Sequence, residues 1–150
     1  MKTFVVYDSV YGNTEKVAQA IGDAIPGEVQ VLRVGQVDVG QLESVDLLII
    51  GSPTHGGGPT EAVQSLVERI GPPACEGAQV ATFDTRLKWR WIRLFGFAAP
   101  KMAASLKEKG WRLTAAPEGF FVGAAKKGPL KRGEAERAAA WAKGLVESQT

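Results

Sequence analysis

Short β-rich runs alternate with helical runs from one end of this chain to the other, and that alternation restricts the fold more than any other feature. Residues 3–7 (TFVVY) are β-branched and aromatic, the composition of a buried strand. Residues 13–25 then place Val17, Ala20, Ile21, Ala24 and Ile25 on one helical face, and Pro26 and Gly27 end that helix. Residues 28–34 (EVQVLRV) alternate as an edge strand with one wet face does, and residues 46–51 (DLLIIG) are apolar enough for a central strand. A helix over 60–70 carries Ala62, Val63, Leu66, Val67 and Ile70 and stops at Gly71, Pro72 and Pro73. Residues 78–83 (AQVATF) read as a fourth strand and 98–109 as a helix closed by Gly110. Residues 112–116 and 120–122 read as one last strand interrupted near Pro117, Glu118 and Gly119, and the Ala-rich stretch 133–146 as the final helix.

Strands regularly separated by helices specify a parallel sheet covered on both faces. Five strands in 150 residues fit one open, doubly wound α/β domain over residues 1–150, with no repeat or long linker to divide it. Right-handed crossovers bring the loops 8–14, 52–60 and 84–96 together along the carboxyl edge of the sheet. Open α/β sheets bind ligands there, where the strand order reverses. A single cysteine, Cys75, excludes an internal disulfide framework and any multi-cysteine metal site, and reads as an unpaired thiol without function. The longest apolar run, 47–50, is far too short to cross a bilayer. Met1 and Lys2 lead directly into a strand with no signal-peptide pattern, so a cytoplasmic protein is expected.

The loop after the first strand is Ser9, Val10, Tyr11, Gly12, Asn13 and Thr14, and a helix follows without pause. The first N–H groups of a helix have no partners within it, and the helix dipole adds partial positive charge. Ser9 and Thr14 add hydroxyl donors, and Gly12 lets the backbone turn closely around a ligand. Together they make an anion cradle without a cationic side chain. An ordinary helix cap is the alternative, since Asn13 or Ser9 can provide one alone. The loop lacks the Gly-Lys-Ser/Thr of a nucleoside-triphosphate site and the repeated glycines of a dinucleotide site. A phosphomonoester remains.

The loop after the central strand, GSPTHGGGPT over 51–60, has three consecutive glycines against which a flat ligand can lie. With it, the loop Ser9-x-Tyr11-Gly12-Asn13-Thr14 and the FDTR run over 83–86, the chain resembles the flavodoxin-like FMN-binding family. Tyr11 stands where many flavodoxins carry Thr. The stretch YDSVYGNTEKVA looks most like the flavodoxin domains of flavodiiron proteins and of stand-alone flavodoxin family proteins. The resemblance implies a five-stranded sheet in the order 2-1-3-4-5 with FMN at the switch point, flavodoxins being a standing example of that rule. It further implies that Ser9, Val10, Tyr11, Gly12, Asn13 and Thr14 hold the FMN phosphate. Pro53, Thr54, His55, Gly56 and Gly57 would line one face and the N5 edge of the isoalloxazine, and Asp84, Thr85 and Arg86 would meet its pyrimidine end. In such proteins a peptide beside N5 can reorient on reduction, and here the His55–Gly56 and Gly56–Gly57 bonds are the candidates, because glycine permits positive φ. His55, the single histidine, either meets the ring or is a solvated loop residue.

Charge is distributed unevenly. Residues 1–85 hold 4 Lys+Arg against 11 Asp+Glu, whereas residues 86–132 hold 12 against 2. Within the basic part, RLKWRWIRLFGF over 86–97 interleaves Arg86, Lys88, Arg90 and Arg93 with Trp89, Trp91, Leu94, Phe95 and Phe97. Flavodoxins usually surround the flavin with acidic surface, so this departs from their pattern. Trp89 or Trp91 stacking on the flavin is one reading, and docking to an acidic protein or an anionic membrane surface is another. Simple packing of the apolar members under the loop is the third. No nucleic-acid partner is expected, since no nucleic-acid-binding fold accompanies the segment. Lys126, Lys127, Lys131 and Arg132 are expected in the loop after the last strand, at the same edge.

The leading expectation is thus an FMN-binding protein that carries electrons between redox partner proteins. A flavin-dependent oxidoreductase acting on a quinone or similar substrate is the second reading, as in flavodoxin-like quinone reductases and a menaquinone-dependent protoporphyrinogen oxidase. A flavin-free docking module is the third.

Overall fold

The structure, a computed structural model, describes residues 1–88, 96–125 and 128–148. Strand β1 (Lys2–Tyr7) leads into helix α1 (Asn13–Ala24) and then β2 (Glu28–Arg33). A single 3-10 turn (Val34–Gln36) and the short helix α2 (Val39–Leu42) precede β3 (Leu47–Pro53), α3 (Glu61–Arg69) and β4 (Gln79–Leu87). Helix α4 (Ala98–Glu108), β5 (Arg112–Leu113), β6 (Glu118–Ala125), β7 (Gly128–Leu130) and α5 (Glu134–Glu147) complete the chain.

The sheet runs β2-β1-β3-β4-β6-β7, with β5 also beside β4. All pairings are parallel except that of β7 with β6. The chain moves from β1 to β2 in one direction and from β1 to β3 in the other, so the order reverses between β1 and β3. This is the expected doubly wound order, with β5 and β6 sharing the fifth position: Arg112 and Leu113 pair with Gln79 and Val80, and Glu118 resumes opposite Phe83. The break falls at 114–117 rather than around 117–119, and Glu118 and Gly119 belong to the strand. Pro117 has no N–H to give a ladder, which fits its place just ahead of β6.

Alternation with a period of two puts both faces of the central strands in a core. Phe4 and Val6 of β1 and Leu48 and Ile50 of β3 pack with Val63 and Leu66 of α3 and Met102 and Leu106 of α4. Val5, Tyr7, Leu47 and Ile49 pack on the opposite face with Val17 and Ile21 of α1 and Ala138, Ala142 and Leu145 of α5. Burial on both faces is why these strands read as unbroken apolar runs. No helix among the described residues is long and apolar enough to cross a membrane.

Two differences from the sequence expectations bear on the site. Strand β4 continues through Leu87 because β6 pairs with it from Phe83 to Leu87, so Asp84, Thr85 and Arg86 are strand residues rather than loop residues. The region after the fifth strand is not a plain loop: β7 turns back antiparallel along β6. Lys126 and Lys127 lie outside the described residues, as do Trp89, Arg90, Trp91, Arg93, Leu94 and Phe95.

At the foot of α5 the Glu134 carboxylate accepts the Phe121 N–H at 2.7 Å and the Arg137 Nε–H at 2.9 Å, joining helix to sheet. The Arg137 guanidinium bonds also to Glu118 and lies over the Phe120 ring at 4.5 Å. The hydrogen bonds from Arg137 hold Glu134 below the usual carboxylate range against the opposing effect of burial. A carboxyl group depressed on folding stabilises above its unfolded pKa, and that contribution is lost as pH falls through the folded value. Glu134→Gln is therefore expected to cost about 1–2 kcal/mol near neutral pH, limited because Arg137 is partly exposed. Urea titrations should show the difference shrinking below about pH 4. A difference that persists unchanged in acid would mean that charge is not what the carboxylate contributes.

Candidate functional site

Three chain segments meet at the carboxyl edge, and polar groups fix them to one another. Asp8, the first residue after β1, donates its N–H to the Gly51 carbonyl of β3 at 3.1 Å. Its carboxylate accepts the Ser9 N–H at 2.9 Å and the Thr60 hydroxyl at 2.6 Å, tying the first loop to the start of α3. Ser9 Oγ accepts the N–H groups of Gly12 at 3.0 Å and Glu15 at 3.3 Å, which folds the loop back on itself. Gly12 is the N-cap of α1 with φ of 90°, and the cap position supplies no side-chain bond. Ser9 is thus the residue that shapes the loop, and the helix start is not closed by its own cap.

Behind the loop, Arg33 at the end of β2 donates to the Ser9 carbonyl at 2.9 Å and to Glu15 at 3.1 Å, and it lies over the Tyr7 ring. The Tyr7 hydroxyl donates to the same Glu15 carboxylate, and burial together with that carboxylate raises the Tyr7 pKa. Deeper in the site the Thr14 and Thr85 hydroxyls are 2.8 Å apart in a buried contact, joining the helix start to β4.

The second segment is a tight turn. His55 and Gly58 exchange backbone bonds of 2.8 and 3.0 Å, with Gly56 at φ 57° and Gly57 at φ 81° between them. Positive φ at both central positions defines the turn type that suits Gly-Gly. The His55 carbonyl is used by the turn, because it accepts the Gly58 N–H. The central Gly56–Gly57 peptide can therefore reorient without breaking either bond, whereas the His55–Gly56 peptide cannot.

The third segment is the end of β4. Asp84 is fully buried, and its oxygens each accept from Arg86 at 2.7 Å while one also accepts the Ala99 N–H of α4 at 2.9 Å. Burial pushes the Asp84 carboxyl upward, and Arg86 and the Ala99 N–H pull it back. The Ala98 N–H donates to Thr54 Oγ1, so Thr54, just beyond β3, and Asp84 of β4 together take the first two N–H groups of α4.

Between these segments lies a cleft of about 320 Å³. Ser9, Val10, Tyr11, Asn13 and Thr14 line it from the first loop, Pro53, Thr54, His55, Gly56 and Gly57 from the end of β3 and the turn after it, and Thr85 and Arg86 from the neighbouring end of β4. Two expected residues are not in its lining. Gly12 is the N-cap of α1 with its N–H on Ser9 Oγ, and the Asp84 carboxylate turns toward α4. Leu87 and Val122 also line the cleft. They are direct partners in the register of β4 and β6, a signal that appears only once the two strands are known to pair past residue 83. Val10 and Tyr11 are about half exposed, and Met1 is the only other large apolar side chain among the described residues that is so exposed.

A family model for the flavodoxin domain matches residues 4–127. This chain belongs to the flavodoxin family. No curated protein sequence matches it. Among solved structures, oxidised Flavodoxin 2 from Bacillus cereus is similar at 25% identity and a TM-score of 0.80, covering 98% of this chain and 99% of that one. A flavodoxin from the domain Archaea shares 21% identity with a TM-score of 0.79, covering 99% of each chain. Rubredoxin oxygen:oxidoreductase from the anaerobe Desulfovibrio gigas shares 19% identity with a TM-score of 0.77. This flavodoxin-family chain is covered to 99% in that last comparison but spans only 36% of the other protein's length.

Proposed function

We propose that the cleft binds FMN and that the chain carries electrons between redox partner proteins. The observation that carries this reading is one cleft at the switch point that joins a helix start with a glycine N-cap, lined by hydroxyl and amide groups, to an apolar, glycine-turned slot. The donor end suits a phosphomonoester: Ser9, Asn13 and Thr14 bring hydroxyl and amide groups to the N-terminus of α1, where the dipole favours an anion. The slot suits a flat aromatic ring, with Pro53, the Gly56–Gly57 turn, Leu87 and Val122 as walls. Bound FMN would supply the redox chemistry, and these residues supply binding, orientation and potential. The Gly56–Gly57 peptide is the group free to follow a change of proton occupancy at the ring edge. Acidic redox proteins are the expected partners, from the excess of Lys and Arg over residues 86–132.

A second reading, reduction of a quinone or similar substrate, has one observation in its favour. A further cavity of about 530 Å³ between α3 and α4 shares His55 and Gly56 with the cofactor cleft. The turn is therefore common to both, and a substrate in the second cavity would lie across it from the cofactor.

The test is to mix the purified protein with FMN, remove free flavin, record the visible spectrum and reduce stepwise. Retained FMN with shifted bands, taking up electrons in two single steps, is the expected result. Uptake as a single two-electron step, with turnover of added quinone, would move the assignment to the second reading. Failure to retain flavin would sink both.

A further inference from the structure

Arg86 is the one formally charged side chain among the described residues that line the cleft, and it is not free to swing. Two of its nitrogens sit on the two Asp84 oxygens, both at 2.7 Å. The guanidinium lies 3.6 Å from the centre of the Phe97 ring. It also crosses Gly119, where an added Cβ would stand 2.2 Å from Nε, so a side chain at 119 would exclude it. Asp84 is held in its turn by the start of α4 through the Ala99 N–H. Arg86 belongs to the lining of the cleft and the fully buried Asp84 does not. The cationic member of the pair is therefore on a lining residue and its anionic partner is set back toward α4, in surroundings that screen the pair little.

We infer that Arg86 is a fixed cationic wall that favours the more negative form of the bound cofactor, and that Asp84 is the residue that positions it. The inference rests on the FMN reading above. Fully reduced FMN carries a negative charge that the oxidised ring lacks, so Arg86 holds the fully reduced form more tightly than the oxidised one. A bidentate partner and a ring face make Arg, and not Lys, the fitting residue.

The test is a spectroelectrochemical titration of the FMN-loaded protein, of Arg86→Lys and of the double variant Asp84→Asn/Arg86→Gln. The double variant is used because removing Arg86 alone leaves a buried, unpaired carboxylate that threatens folding. In the double variant the couple that ends in the anion should move to lower potential, equivalent to about a tenfold loss in preference for reduced over oxidised FMN. The first one-electron couple should stay in place. Arg86→Lys keeps the charge but not the two-point hold, and should fall between with a steeper salt dependence. Equal shifts in both couples, or none, would overturn the inference while leaving FMN binding intact. A wild-type protein that retains no FMN would overturn the FMN reading and this inference together.

Discussion

Gly128→Ala is expected to lower the affinity for FMN by about 10- to 100-fold while changing the affinity for riboflavin little. Gly128 begins β7, and an added Cβ would stand 2.5 Å from Asn13 Nδ2, 2.7 Å from Oδ1 and 2.9 Å from Cγ. All the outer atoms of the Asn13 side chain are involved, and Asn13 is buried, so it must leave its place. Asn13 is the first residue of α1 and lines the donor end of the cleft. Losing one hydrogen bond to a doubly charged phosphate costs about 1.5–3 kcal/mol, which sets the range given. Riboflavin has no phosphate and should not register the change. Gly128 also has φ of 94°, so alanine adds about 1–2 kcal/mol of backbone strain that thermal unfolding of the free protein should detect. Flavin fluorescence titrations with the two ligands separate the effects. Equal losses for FMN and riboflavin would mean that β7 supports the whole cleft and not the phosphate end.

This prediction depends on a strand that the sequence does not announce. Gly-Pro-Leu at 128–130 has no alternating pattern and follows two lysines, so it reads as loop, and only pairing with β6 makes it a strand. The central strands were legible because they are buried on both faces: runs such as LLII at 47–50 have no other use in a chain with so little continuous apolar sequence. The helix bounds were legible too, through Pro26, Gly27 and Gly71–Pro73 as stops. At the site, the hydroxyl loop and the glycine turn were read from local chemistry, since both work through backbone groups that short motifs dictate. For the same reason local chemistry did not place the Asp84 side chain. Its neighbours in sequence line the cleft, but its own carboxylate is fully buried, and the partners that hold it toward α4, Arg86 and the Ala99 N–H, are visible only in three dimensions.

Gly51→Ala is expected to be the most destabilising single-methyl change in the sheet, costing about 3 kcal/mol. Gly51 pairs with Tyr7 on one side and Phe83 on the other, and the Phe83 ring lies over it. An added Cβ would stand 2.0, 2.3 and 2.4 Å from three atoms of that ring. The ring cannot retreat, because it is fully buried and meets Phe120 and Trp141 edge to face at centroid distances of 6.1 and 6.2 Å. Phe120 and Trp141 meet in the same way, so the three rings close on one another. For a chain of this length a 3 kcal/mol loss corresponds to a fall in Tm of about 6–12 °C. The site should suffer with the fold, since the Gly51 carbonyl accepts the Asp8 N–H that anchors the first loop. The decisive comparison is Gly51→Ala in a Phe83→Leu background. If the ring is the obstacle, the smaller side chain makes room for the methyl group and the double variant is more stable than the sum of the two single losses. Strict additivity would place the cost in the backbone of β3 instead, and would remove the ring cluster as the reason that only glycine fits at the point where the sheet opens into the cleft.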